Sequence, residues 1–316
     1  MGGSGGGRRS HAPTFTPRAD SPTPSELVDQ EITKTQAEGR RVTELLDAVK
    51  NAEKDDFVLC ALNAGQGDCC VMRLPDGKVV VVDCNVTSAN VNVAKFLEQA
   101  GVREIDLLIL THPDRDHVSG LPALAKAVTI RNVIDGRFRK EGEDGSRTPG
   151  YAEYRQAIED LKRSGTNFQD RTAIRGDVGQ VGSVSVEFLA PHAPMQAEDA
   201  NQASLCFKVR SGQRTVLFGG DVTKETWDGI VARDRSKLKS DVFWSSHHGA
   251  ESGCHPDAVR AIRPTLTVVS VGENEYGHPH EEAMSCYRQH SSEVRRTDDG
   301  SIGIVSREGR PWKPIV

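Results

Sequence analysis

The chain has 316 residues, with 40 Lys and Arg against 45 Asp and Glu, a formal net charge of −5 with its ten His neutral. The apolar share is 36% counting Tyr but not Gly, or about 45% on the usual definition, an ordinary value for a globular protein. These figures exclude a wholly disordered or collagen-like chain, and no window approaches the ~18 consecutive apolar residues of a membrane-spanning helix.

In chain order, residues 1–24 are rich in Gly, Ser, Pro, Thr and Arg. Such a segment cannot bury enough apolar surface to offset its ordering entropy, so a disordered tail is expected. It lacks the apolar core of a secretory signal, which leads to the expectation of a cytoplasmic protein without membrane association. Ser25 opens a run with Leu27, Val28, Ile32, Val42, Leu45, Leu46 and Val49 at helical spacings. That pattern predicts an amphipathic helix over 25–54, divisible at Gly39, whose apolar face would dock a protein partner. Residues 55–316 read as one domain. Apolar runs predict strands at 57–62, 70–74, 79–82, 105–110, 184–189, 204–209, 215–218, 241–244 and 266–271. Helices are expected at 90–100, 151–164, 224–232, 255–262 and 280–289, giving an α/β domain with its sheets covered by helices. Residues 139–150 read as a charged, Gly-rich loop. The seven Cys show no paired spacing, lie mostly in apolar runs and are expected to be buried hydrophobes.

The segment Thr111-His112-Pro113-Asp114-Arg115-Asp116-His117 follows the strand expected at 105–110. Two imidazoles and two carboxylates therefore gather at the mouth of a buried strand. Pro113 prevents a regular helix there and lets the side chains converge. Imidazole with carboxylate suits zinc, manganese or iron, with little selectivity where thiolate is absent. The plainer alternative is a polar turn with an Asp helix cap before His117-Val118. Asp221, the pair His247-His248, and His278 with His280 are weak signals singly. All follow strands or sit on a Gly/Pro loop, so together they can meet at one point.

The order of these motifs resembles the metallo-β-lactamase superfamily and, within it, the hydrolase domains of ComEC-type competence proteins. The resemblance covers about residues 56–306. It rests on Asn63-Ala64-Gly65-Gln66-Gly67-Asp68, Asp83, the THPDRDH segment, Asn201–Leu205, Phe218–Asp221, His247-His248-Gly249, Asn274–Pro279 and Arg296–Gly300. It implies a metallo-β-lactamase αββα sandwich, two β-sheets face to face with helices outside. It also implies one or two divalent metal ions, zinc or manganese. His112 and Asp114 would hold one and Asp116 and His117 the other, with Asp221 bridging. His247 would complete the second site, with His248 beside it as a ligand or substrate contact. Catalytic work falls to Asp116, which would orient the attacking hydroxide, to Asp83, which would orient the THPDRDH loop, and to His278, a proton donor or phosphate contact.

Asp114 and Asn201 stand where many members of the superfamily have His. Asn201 is therefore expected as a weak ligand or substrate contact in an oxygen-rich first site, which favours manganese. The resemblance implies metal-dependent hydrolysis, with a phosphodiester, DNA or RNA among them, as the favoured substrate. Alternatives are hydrolysis of a carboxyl ester, lactone or thioester on the same fold, and a non-catalytic partner-binding module. The net charge gives no overall basic footprint for nucleic acid. Local clusters at Arg137, Arg139, Lys140 and Arg147 and at Arg295 and Arg296 would meet phosphate.

Overall fold

The structure, a computed structural model, describes Met1 and residues 24–88, 90–136, 151–168, 172–192, 199–307 and 310–316. The expected disordered tail, apart from Met1 and Pro24, and the basic loop holding Arg137, Arg139, Lys140 and Arg147 lie outside the described residues. The chain divides into two units, Met1–Ala37 and Glu38–Val316. Helix α1 (Pro24–Lys50) begins in the first, where Ile32 is half exposed.

Helix α1 is continuous through Gly39 and stops at Lys50, so neither the expected break nor the extension to 54 occurs. Gly costs a helix only ~1 kcal/mol, and the residues beside it are anchored within the second unit. Glu38 accepts from Ser301 N at 2.9 Å, and Arg41 donates to the Asp299 carbonyl. Leu45 and Val49 are fully buried in the core, with Val42 and Leu46 packed alongside. Half of the face expected for a partner is thus occupied by the chain's own domain.

The second unit is built on two mixed sheets. The first joins β1 (Asp56–Ala61), β2 (Cys70–Arg73), β3 (Val79–Val82), β5 (Leu107–Leu110), β7 (Asn132–Asp135), β8 (Asn167–Phe168), β16 (Ile302–Arg307) and β17 (Lys313–Pro314), in the order β17-β16-β1-β2-β3-β5-β7-β8. The second joins β9 (Val178–Val181), β10 (Val184–Ala190), β11 (Cys206–Ser211), β12 (Arg214–Phe218), β13 (Val242–Trp244), β14 (Leu266–Val269) and β15 (Glu293–Arg296), in the order β15-β14-β13-β12-β11-β10-β9. Short strands β4 (Glu104–Ile105) and β6 (Thr129–Ile130) pair separately. The strand expected at 105–110 is split at Asp106, whose carboxylate accepts from Val79 N at 2.9 Å and Lys78 Nζ at 2.8 Å.

Side-chain alternation explains the layers. Phe57, Leu59, Met72, Val80, Val82 and Ile109 of the first sheet face Val186, Phe188, Phe207, Val216, Phe218 and Trp244 of the second. The opposite parity of the first sheet, Val58, Cys60, Val71, Val81 and Leu108, packs under α1, α2 (Val93–Gln99) and, beyond α3 (Arg115–Val118), α4 (Leu121–Ala127) and α5 (Tyr151–Arg163). That of the second, Leu217, Phe243 and Val269, packs under α6 (Lys224–Asp234), α7 (Pro256–Ile262) and α8 (Glu281–His290). Strands buried on both faces read as unbroken apolar runs, which is why they stand out in the sequence. The result is the expected αββα sandwich.

Strands β3, β5 and β7 are parallel, as are β12, β13, β14 and β15. Their carboxyl ends deliver Asp83, Thr111-His112, Asp221, His247-His248 and Ser270 to one edge of the sandwich, where open α/β sheets bind ligands. The turn between β1 and β2 closes on this edge. Asp68 N donates to the Asp116 carbonyl at 3.0 Å, and a Cβ on Gly67 (φ +126°) would lie 2.0 Å from that same oxygen. Gly67→Ala is expected to destabilise the chain by about 1–3 kcal/mol through overpacking. Gly39→Ala, with open space around it, is expected to stabilise it by up to about 1 kcal/mol. Urea unfolding of both variants checks the pair, and equal midpoints would contradict it.

Candidate metal centre

Asp221 is buried at the centre of the edge, ringed by three imidazoles. His117 Nε2 lies 3.3 Å from its Oδ1, and His112 Nε2 and His248 Nε2 lie 3.7 and 3.6 Å from its Oδ2. The hydrogen bonds on the far side of each ring fix which nitrogen faces inward. Thr111 Oγ1 donates its one proton to Asp83 Oδ2 at 2.7 Å, so it can only accept from His112 Nδ1 at 3.1 Å. His117 Nδ1 is held by Asp83 Oδ2 at 2.8 Å. His248 Nδ1 lies 3.0 Å from the Ser270 carbonyl, with Asp68 Oδ1 3.3 Å away. All three rings therefore carry their Nδ1 proton outward and turn Nε2 to the same space.

That space suits a cation better than protein alone. His112 Nε2, Asn201 Oδ1 and Asp221 Oδ1 are buried without a hydrogen-bond partner. His117 Nε2 and His248 Nε2 stand 3.3 Å apart, both turned to that space. Rings whose other nitrogen is tied to a carboxylate or carbonyl are the usual metal-binding histidines. Potential ligand groups of three form around His112-His117-Asp221 and around Asp116-His117-His248. The electrostatics agree. Burial alone would raise the Asp221 pKa, but His117, His248 and His112 outweigh it and hold the carboxyl well below its usual range. Burial likewise opposes charge on His117 and His248, yet Asp221, with Asp83 or Asp116 and Asp68, pushes both well above the usual imidazole value. For Asp116, burial is outweighed by the contact with His248 and the charge of His117, which lower it.

The other expected residues stand around this core. Asp114 Oδ2 is 3.6 Å from His112 Nε2. Asp116 Oδ2 is 3.3 Å from His248 Nε2. Of the adjacent pair, it is His248 that joins Asp116 and His117, where His247 was expected. Both residues have positive φ, 51° and 53°, and these two left-handed steps turn His248 inward. His247 lies instead 4.0 Å from Asp221 and 3.5 Å from Asn201 Nδ2, on the His112 side. His278 is 5.4 Å, ring to ring, from His247. Burial and the charges of His247, His248 and His280 lower its pKa to about 4, so it is a neutral imidazole at pH 7. Arg295 and Arg296, expected to meet phosphate, are engaged elsewhere. Arg295 donates to Glu293 at 2.6 Å and the Val316 main-chain oxygen at 2.6 Å, and Arg296 pairs with Asp298.

Residues 62–273 match the profile of the Metallo-beta-lactamase superfamily. The chain belongs to that superfamily. Among curated relatives, ComE operon protein 3 of Bacillus subtilis (strain 168) is 31% identical over 210 residues, which are 66% of this chain and 25% of that protein. Competence protein ComA of Neisseria gonorrhoeae is 26% identical over 246 residues, 78% of this chain and 31% of the relative. The match thus spans less than a third of either relative's length. Among solved structures, CmlA of Streptomyces venezuelae, described as a diiron β-hydroxylase, superposes with a TM-score of 0.50 at 14% identity, covering 81% of this chain and 55% of that one. At that identity the likeness speaks for the metallo-beta-lactamase fold alone.

Asp68 is a member of this metallo-beta-lactamase cluster to which sequence reasoning assigned no role. It accepts from Trp244 Nε1 at 2.9 Å and so ties His248 to the aromatic row Phe207, Phe218 and Trp244 of the core. The signal was an acid directly after Gly65-Gln66-Gly67, before a buried strand. Asn85 is another: its Nδ2 donates to the Ala64 and Gln66 carbonyls at 3.1 and 2.6 Å while its Oδ1 accepts from Ser119 at 2.8 Å, clasping the Gly-rich turn to α3.

Two outcomes follow. In the ion-free chain the carboxylates hold protons on His117 and His248, and a cation must displace them. Cation affinity is therefore expected to weaken as pH falls, with proton release seen by calorimetry in two buffers of different ionisation enthalpy. A pH-independent affinity without proton release would contradict this. Asp83→Asn, which removes the acceptor that sets the His117 tautomer, is expected to weaken cation binding about 10- to 100-fold with little change in fold, as read by chelator competition and circular dichroism.

Proposed function

We propose that the chain is a divalent-metal-dependent phosphodiesterase acting on nucleic acid. The observation that carries the reading is the set of three inward Nε2 atoms around buried Asp221, each fixed by its Nδ1 partner. Asp116, His117, His248 and Asp221 would hold one cation, and His112, Asp114 and Asp221 another, with His247 and Asn201 beside it. A bound divalent cation supplies a Lewis acid and a more acidic water. The oxygen share contributed by Asp114 and Asn201 favours a hard cation such as manganese over a tight zinc pair. One relative is named a competence protein, and competence is the uptake of DNA, which supports a nucleic-acid substrate.

The chain's own residues divide the remaining work. Asp116, with its side chain 34% exposed, reaches solvent from beside His248, and it orients the attacking water. Asp83, through Thr111 and His117, keeps both neighbouring rings in register. His278, neutral and half-buried with its Nδ1 unpartnered, presents an imidazole to the leaving oxygen or to a non-bridging phosphate oxygen.

Cleavage of a simple phosphodiester and of single-stranded DNA is expected with manganese and absent with a chelator. Asp116→Ala is expected to lower turnover by about 100-fold or more, a loss of several kcal/mol of stabilisation. Hydrolysis of a carboxyl ester alone under the same conditions would overturn the phosphodiester reading.

A further inference from the structure

Tyr276 is 70% exposed, the one aromatic among the large apolar side chains left in solvent within the described residues. Its ring lies 5.6 Å from His278 at 31°, and His278 in turn lies 6.5 Å from His248. The rings form a row leading outward from the cluster. The loop that presents Tyr276 is held rigidly. Asn274 Oδ1 accepts from Tyr276 N and His278 N, both at 3.0 Å, while Asn274 Nδ2 donates to the Gly272 and His278 carbonyls at 2.8 and 2.9 Å. His280 N donates to the Gly249 carbonyl at 2.9 Å, fastening the loop to the turn that carries His247 and His248. Glu273 and Glu275 on the same loop are exposed.

We propose that Tyr276 is the stacking platform for a nucleobase attached to the phosphodiester bound at the Asp221 cluster. The inference rests on the phosphodiesterase reading and narrows it to nucleotide chains. Every base has a π-face, so such a platform tolerates sequence, and its removal costs about 1–3 kcal/mol per base, or roughly 5- to 150-fold.

The test uses the full chain with manganese, comparing Tyr276→Ala, Tyr276→Phe and Tyr276→Trp. The probes are a labelled single-stranded oligothymidylate and an abasic oligonucleotide of equal length, with binding read by anisotropy in the Asp116→Ala background and KM for cleavage read in the otherwise unaltered chain. Tyr276→Ala is expected to weaken oligothymidylate binding and raise KM by roughly 5- to 150-fold. The abasic values should stay unchanged, and Phe and Trp should restore binding. Equal losses on both oligonucleotides, no loss on oligothymidylate, or no binding of either by the parent chain would overturn the platform. Binding that follows Tyr276 without any cleavage would overturn the phosphodiesterase reading while upholding the platform.

Discussion

His117 lies in line between two buried carboxylates that come from opposite sheets. Asp83, 2.8 Å from its Nδ1, follows β3 of the first sheet, and Asp221, 3.3 Å from its Nε2, follows β12 of the second. A carboxylate taken out of water costs several kcal/mol unless positive charge accompanies it. The folded chain must therefore keep protons or cations among these groups at all times. This requirement explains why the cluster titrates as it does: the imidazoles are driven toward charge by the carboxylates and in turn hold Asp221 ionised, while burial raises the Asp83 carboxyl above its usual range. Hydroxyls and a carbonyl, Thr111, Ser204 and Ser270, meet the outward nitrogens of His112 and His248, while Asp83 holds that of His117.

Holding that line has a conformational cost. Five non-glycine residues among those described have positive φ, and three of them, Asp83, His247 and His248, belong to the cluster. Each such residue costs on the order of 1–3 kcal/mol, so the sandwich must supply what the site takes. The inter-sheet core does so with the stacked row Phe207, Phe218 and Trp244, with ring centroids 5.0 and 5.6 Å apart. The last ring of that row donates to Asp68, beside His248. Packing energy and site geometry thus meet at one indole.

Most of this was legible in the sequence for a physical reason. Strands buried on both faces must be apolar throughout, and acids or imidazoles directly after them stand out as the only polar groups that the edge can use. The same logic fails where spacing carries no direction. His247 and His248 are neighbours in sequence, and only the two left-handed steps decide which one faces Asp116. Strand β16 does not stand out because Gly303 interrupts its apolar run, although it pairs with β1 over six positions, one strand in from the edge of the first sheet. The apolar face of α1 looked like a partner surface because periodicity marks a buried stripe without saying what buries it. Arg295 and Arg296 looked free for the same reason: a run of charge does not reveal its counter-ions.

The two halves of the cluster are unequally braced, and this bears on how each would hold an ion. On the inner half, His117 is backed by the buried carboxylate of Asp83, directly after β3, and His248 by the Ser270 carbonyl, directly after β14, and by buried Asp68. On the outer half, Asp114 has a side chain 43% exposed, Asn201 offers an amide oxygen, and His247 Nδ1 meets the exposed Ser252 hydroxyl at 3.1 Å. Ligands fixed in advance lose little freedom on binding, whereas exposed side chains must be ordered by the ion itself. An outer ion would therefore be the weaker and the more exchangeable of two, held partly by whatever oxygen the substrate brings.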